Sequence, residues 1–153
     1  MDTQSEDNPS NFTFDIEQFK QLYKTFDKQT LIKLPELYSS SVTFRDPVHQ
    51  LNGLESLSRY FANFCNAETY CQFEFINEIV TYDQAFFQWK MHYSHPKLNS
   101  GKKLVLNGGT FIKFGSHIVH HEDFYDMGAM IYQHIPLLGW TVKKINARIA
   151  EQA

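Results

Sequence analysis

Phe73-Glu-Phe-Ile-Asn-Glu-Ile79 and Phe87-Gln-Trp-Lys-Met-His-Tyr93 decide the second half of the chain. Phe73, Phe75 and Ile79 alternate with Gln72, Glu74 and Glu78, and Phe87, Trp89, Met91 and Tyr93 alternate with Gln88, Lys90 and His92. A period of two sends each set to its own face of a strand, so both stretches are strands with one apolar side. Tyr82-Asp83-Gln84 is the turn between them. A third long strand carries Leu104, Leu106, Gly108, Thr110, Ile112 and Phe114 on one face, and Gly115-Ser116 turns it into a fourth, Ile118 to Tyr125. Hairpin-linked strands of this length form an antiparallel meander with one buried face. The Gly108-Gly109 pair in mid-strand predicts a bulge or a sharp bend.

Upstream the period is helical. Ile16, Phe19, Leu22, Tyr23 and Phe26 recur at three- and four-residue steps behind Asp15, which stands where an N-cap belongs, with Gln18 three residues on. Thr30 is the expected cap of a second short helix carrying Leu31, Leu34, Leu37 and Tyr38, in which Pro35 either makes a kink or opens the second half. Ser41-Val-Thr-Phe-Arg45 is a short strand that stops at Asp46-Pro47, because proline pushes the preceding residue into an extended conformation. After a turn at Gly53, a third amphipathic helix carries Leu54, Leu57, Tyr60, Phe61, Phe64 and Cys65. Trp140 to Ala150 is a short basic helix with Val142, Ile145 and Ile149 inward and Lys143, Lys144 and Arg148 outward. Helices in one block and strands in the next imply an α+β domain with the helices on one face of the sheet.

The 153 residues fit one domain with one core. A net charge of -3 provides no basic field for nucleic acid, and that partner class is set aside. No apolar run reaches the ~18 residues that span a bilayer, so no membrane is expected. Residues 1–11 are polar and acidic, read as a disordered tail without the basic flank and apolar stretch of a secretion signal, which points to the cytoplasm. The two cysteines, Cys65 and Cys71, match no common zinc or redox spacing and read as buried thiols.

A twisted sheet that bends at a glycine pair becomes concave, and three helices laid across it leave part of the hollow unfilled. Its wall is expected to carry Phe61, Phe73, Phe75, Phe87, Trp89, Met91, Tyr93, Thr110 and Ile112; the 16% aromatic share suits either such a pocket or a Phe-rich core. An apolar hollow desolvates any carboxyl that enters it, which raises the carboxyl pKa toward neutrality. Asp46 is one candidate, with plain turn chemistry as the alternative. The other is His120-His121-Glu122-Asp123-Phe124-Tyr125-Asp126, where alternation puts His121, Asp123 and Tyr125 on one face and the rest on the other. That cluster reads as a base with its orienting partner, as metal ligands, or as an edge strand kept soluble by charge. No second ligand motif accompanies it, and neither metal nor cofactor is expected.

Val42-Thr-Phe-Arg-Asp46-Pro-Val-His49, followed by Gly53-Leu-Glu-Ser-Leu-Ser-Arg-Tyr60-Phe61, resembles the NTF2-like superfamily, and most of all its SnoaL-like and ketosteroid isomerase-like branches. Gly115-Ser-His-Ile-Val-His-His121-Glu-Asp123-Phe-Tyr-Asp126 resembles the last strand of the SnoaL-like branch. The resemblance implies a cone-shaped domain over residues 12–127, three N-terminal helices on a strongly bent, mostly antiparallel sheet enclosing a pocket, and a C-terminal extension, 128–153, with a short helix. It implies Asp46 as general base and Tyr23 as the donor to a developing oxyanion. The second, protonated Asp of ketosteroid isomerases is matched here by Thr110 or its neighbour, a weaker donor, so steroid isomerisation is not expected. The SnoaL-like cyclases imply instead a late-strand base, Asp123 or Asp126, assisted by His121. The activity so implied is cofactor-free acid/base chemistry (isomerase, cyclase, dehydratase or epoxide hydrolase) on a small hydrophobic molecule. The alternative is a non-catalytic hydrophobic-ligand or regulatory module, since one fold serves many functions. Gln88, Lys90 and His92, with Glu74 and Lys113, lie on the outer sheet face through which relatives pair, so a homodimer is expected.

Overall fold

The computed structural model describes residues 14–63, 65 and 69–151. The tail at residues 1–11 lies outside them, as does Phe64. In chain order the elements are α1 (Ile16–Lys24), α2 (Lys28–Leu37), β1 (Tyr38–Arg45), β2 (Gln50–Asn52), α3 (Leu54–Ala62), β3 (Tyr70–Val80), β4 (Gln84–Ser94), β5 (Leu104–Phe114), β6 (Ile118–Tyr125), α4 (Met127–Met130) and α5 (Leu138–Ala150), with 3-10 turns at Asn99–Gly101 and Tyr132–His134. The six strands form one mixed sheet in the order β2-β1-β6-β5-β4-β3. All neighbours are antiparallel except β1 and β6, which run parallel. The α+β, NTF2-like architecture implied by the resemblance is the one found.

Local chemistry explains where the helices begin. The Asp15 carboxylate accepts from Gln18 N at 3.0 Å and caps α1, which buries Phe19, Leu22 and Tyr23. The cap of α2 is Asp27, not Thr30. Its carboxylate accepts from Gln29 N at 2.7 Å and Thr30 N at 3.2 Å, while the Thr30 hydroxyl accepts from Asp27 N at 3.1 Å. This reciprocal capping box starts the helix at Lys28 and puts Thr30 in its first turn. The helix runs through Pro35 and stops at Leu37, and Tyr38 opens β1 instead of closing the helix.

Strand β4 keeps strict alternation, with Ala85, Phe87, Trp89, Met91 and Tyr93 buried. Its pairing with β5 is regular from Gln84↔Lys113 to Tyr93↔Leu104, so no bulge lies at Gly108-Gly109. The glycines make room for rings instead. A Cβ on Gly108 would stand 2.2 Å from the Trp89 ring, and one on Gly109 2.5 Å from that of Phe86. The irregularities fall elsewhere, at Phe75/Asn77, Tyr38/Thr43 and Lys113/Phe114. The first shifts the later part of β3 by one residue, which moves Ile79 from the expected inner face to pair with Phe86 outside, 71% exposed.

The C-terminal helix also departs from expectation. It starts at Leu138, and its main packing is against the Tyr132–His134 turn, where Gly139 lies too close to the Gln133 carbonyl for a side chain. Ile145 and Ile149, expected inward, are 52% and 63% exposed. No helix among the described residues is long and apolar enough to cross a membrane.

Candidate functional site

A cavity of about 70 Å³ opens between the helices and the inner sheet face. Tyr23 and Phe26 face it from the first helical segment, Phe44 and Asp46 from the end of β1, and Tyr60 and Phe61 from α3. Cys71 and Phe73 on β3, Trp89 and Met91 on β4, Asp123 and Tyr125 on β6 and Met130 on α4 complete the wall. The parallel register of β1 on β6, with Phe44 opposite His121, brings the Asp-Pro corner and the late-strand cluster to one hollow.

Asp46 is buried and fully engaged. Its Oδ1 accepts from Val48 N at 2.8 Å and from His49 N at 2.6 Å, His49 Nδ1 lies 3.1 Å from the same oxygen, and the Tyr60 hydroxyl donates to Oδ2. Pro47, without an N–H, sits inside this turn, and Asp46 N donates to the His49 carbonyl at 3.0 Å. Burial pushes the carboxyl pKa up, but the bonds from Tyr60, Val48 N and His49 N outweigh it and hold the group below its ordinary 3.8. The expected upward shift is therefore absent at Asp46: the corner that buries the carboxylate also supplies its donors.

A second polar group runs through the core as a chain. The hydroxyls of Tyr23 and Tyr38 are 2.5 Å apart, Tyr38 OH lies 2.7 Å from His121 Nδ1, and His121 Nε2 lies 2.9 Å from Asp123 Oδ1. Thr110 donates to the same Asp123 oxygen at 2.5 Å and accepts from Trp89 Nε1 at 2.8 Å. An ionised Asp123 only accepts, so Nε2 of His121 carries the proton. With the ring neutral, Nδ1 accepts from Tyr38 and the Tyr38 oxygen accepts from Tyr23; with the ring charged, both bonds reverse. In either state Asp123 accepts from both His121 and Thr110. Burial raises the pKa of both tyrosines well above 10.0, so they remain donors. The Tyr125 hydroxyl is raised too, first by burial and then by the carboxylates of Asp46 and Asp123.

Of the candidates named from sequence, Tyr23, Asp46, Phe61, Trp89, Met91 and Asp123 meet at the cavity. His121 and Thr110 are buried behind Asp123 and touch its carboxylate. Phe75 and Phe87 pack on Phe19, with ring centroids 6.3 Å and 5.1 Å away, and do not line the cavity. Tyr93 turns to the neighbouring hollow, where its hydroxyl donates to the Met130 carbonyl at 2.7 Å. Asp126 is exposed and caps α4 through Gly128 N at 2.7 Å. Sequence reasoning did not assign Tyr38, Tyr60, Tyr125 or Met130 to the site. Tyr125 had a signal, since it shares the face of His121 and Asp123; Tyr38 had none, since its partner lies 83 residues away. Among the described residues no group of three or more His, Cys, Asp or Glu side chains is placed to hold a metal ion. Burial lifts the thiol of Cys71 to about 12 and that of Cys65 to about 11. Neither is an activated nucleophile.

Residues 19–121 match the model of a domain family described as SnoaL-like. No curated protein matches the chain. Among solved structures, a protein of ketosteroid isomerase-like fold from Catenulispora acidiphila, in complex with trimethylamine, is 13% identical with a TM-score of 0.63, over 78% of this chain and 90% of that one. A candidate polyketide cyclase from Xanthomonas campestris pv. campestris is 14% identical with a TM-score of 0.65, over 75% and 92%. A LEH-like epoxide hydrolase of M. tuberculosis is 7% identical with a TM-score of 0.61, over 75% and 82%. At these identities the likeness is one of fold.

Proposed function

The chain belongs to the SnoaL-like domain family, and on that footing we propose that it is a cofactor-free acid/base enzyme acting on a small hydrophobic molecule, with Asp123 as the proton acceptor. The observation that carries this is the hydrogen-bond chain Tyr23–Tyr38–His121 that ends on a carboxylate in the cavity wall. Such a chain fixes the rotamer of Asp123 and lets His121 stabilise its charge. Asp46 suits a different role. A carboxylate held below its ordinary pKa is a poor proton acceptor near neutrality, but it fixes the Tyr60 hydroxyl at the cavity. Tyr125 stands beside Asp123 in the cavity wall, where its hydroxyl is placed to donate to a substrate oxygen. Aromatic walls keep the site dry, which strengthens each of these contacts.

The test uses small cyclic epoxides and cyclic unsaturated ketones, with products followed by chromatography. Asp123→Asn should lower turnover by at least about 100-fold while leaving ligand affinity nearly unchanged. Equal turnover in the two proteins would remove Asp123 from the chemistry. A second reading, a non-catalytic ligand-binding module, is favoured by the size of the cavity, well under the ~300 Å³ usual for small-molecule sites. The absence of turnover across the panel, with a ligand still bound, would select it. The free thiols Cys65 and Cys71 suit a reducing cytoplasm. The outer sheet face, where Glu74 lies opposite Lys90, Phe86 opposite Phe111 and Phe124 opposite Gly109, suits a homodimer.

A further inference from the structure

The cavity at Asp123 has a larger neighbour. A hollow of about 320 Å³ lies between the start of β3, the end of β4, the following loop and α4. The two share Cys71, Met91 and Met130 as a common wall. Beyond that wall the outer hollow is mostly apolar, through Tyr70, Tyr93, Leu98 and Ile131, with exposed Lys97 at its edge. No carboxylate is among its described lining residues. Each space lacks what the other has. The inner one holds the reactive groups and is too small for most ligands, while the outer one has the room.

Met130 is built as a partition. The backbone of α4 is pinned from three sides: Tyr93 OH donates to the Met130 carbonyl at 2.7 Å, Asp126 caps the first turn, and His134 Nε2 lies 3.0 Å from the Ala129 carbonyl. The side chain itself is unbranched and flexible, so it is the movable part of a fixed frame. The family match ends at residue 121, so of the three wall residues Met130 alone comes from a stretch beyond it.

We propose that the two hollows are one elongated site, which takes a straight aliphatic chain behind a compact polar head, and that Met130 sets the chain length accepted. The head sits against Asp123 and Tyr125, and the chain passes Met91 and Met130 into the outer hollow. This rests on the inner cavity being the reactive site.

Straight-chain primary alcohols from propanol to octanol probe it, by calorimetry and by the methyl resonance of Met130 in the full chain. Affinity in the native protein should rise about fourfold per methylene, the transfer value for a buried CH₂, until the outer hollow is filled. In Met130→Trp, and in Met130→Phe should the first not fold, the rise should stop after the shortest members. Met130→Ala should keep the rise. A flat native series overturns the proposal. So does an undiminished rise in the Trp and Phe variants, which would put the chain in the outer hollow alone. The readout is binding, so it separates the two readings: a length series intact in a protein with no turnover fails the acid/base function only, and turnover with a flat series fails the elongated site only.

Discussion

Asp46 holds a negative charge in a nearly dry place because four donors converge on it: two backbone N–H groups, the His49 ring and the Tyr60 phenol. Its lowered pKa makes this a stability statement with a sign. An unfolded carboxyl near 3.8 binds its proton before the folded one does on acidification. The contribution is therefore complete above the unfolded value and is lost as pH falls through the lower, folded one. Asp46→Asn keeps an acceptor for Val48 N and His49 N but removes the charge. It should cost about 2 kcal/mol at pH 7, the scale of hydrogen bonds to a charged group. Urea unfolding from pH 7 to pH 2.5 checks this: the gap between native and variant should be constant near neutrality and close below about pH 4. A gap that persists undiminished at low pH would mean that neutral packing, not charge, makes Asp46 matter.

Among the elements, the start of α2 is the most sharply specified. Asp27 satisfies two of the first N–H groups and Thr30 returns a bond to Asp27 N. Asp27→Ala should cost about 1 kcal/mol and lower the melting temperature by several degrees, read by circular dichroism, while Lys28→Ala, in the same turn without a capping bond, should not. This element also marks where sequence reasoning stops being sufficient. Asp27 and Thr30 are both good caps, and only their mutual bond chooses between them. Leu34, Leu37 and Tyr38 continue a helical spacing, yet Tyr38 joins β1, whose partner β6 is some eighty residues away. Ile79 keeps the parity of Phe73 and Phe75, but the bulge after Phe75 reverses it. Where the signal is local and repeated it was sufficient: the alternation along β4 named Trp89 and Met91, and that along β6 put His121 and Asp123 on one face. Contacts set by long-range register, such as Tyr38 on His121, carry no local mark. Gly108-Gly109 was marked as a bulge or a sharp bend, whereas the pairing there is regular and the glycines leave room for the rings of Trp89 and Phe86, a requirement with no local mark.

At the scale of the whole molecule, the two faces of the sheet do different things. The inner face, with Phe87, Trp89, Met91, Ile112 and His121, forms the core and the cavity. The outer face carries Phe86 opposite Phe111, Ile79 opposite Phe86, and Phe124 opposite Gly109, with Lys90, Glu74 and His92 beside them. Phe124 is 48% exposed and Phe86 39%, on a surface that also presents the paired Glu74 and His92. An apolar centre within a polar surround is the composition of a protein interface rather than of a surface left to water. Two copies related by a two-fold axis would bury these rings against each other and align Glu74 and Lys90 of one protomer with the same groups of its partner. The native protein should therefore show twice the chain mass of 18.0 kDa by light scattering. Phe124→Glu puts like charges at the centre of the contact and should return the mass to that of one chain. The Asp123 carboxylate faces the other side of the sheet, so an acid/base activity confined to each protomer should survive the substitution. A native mass of a single chain would leave the outer rings without a covering partner and end the dimer reading, and turnover that fell together with the mass would mean that the partner helps to shape the cavity.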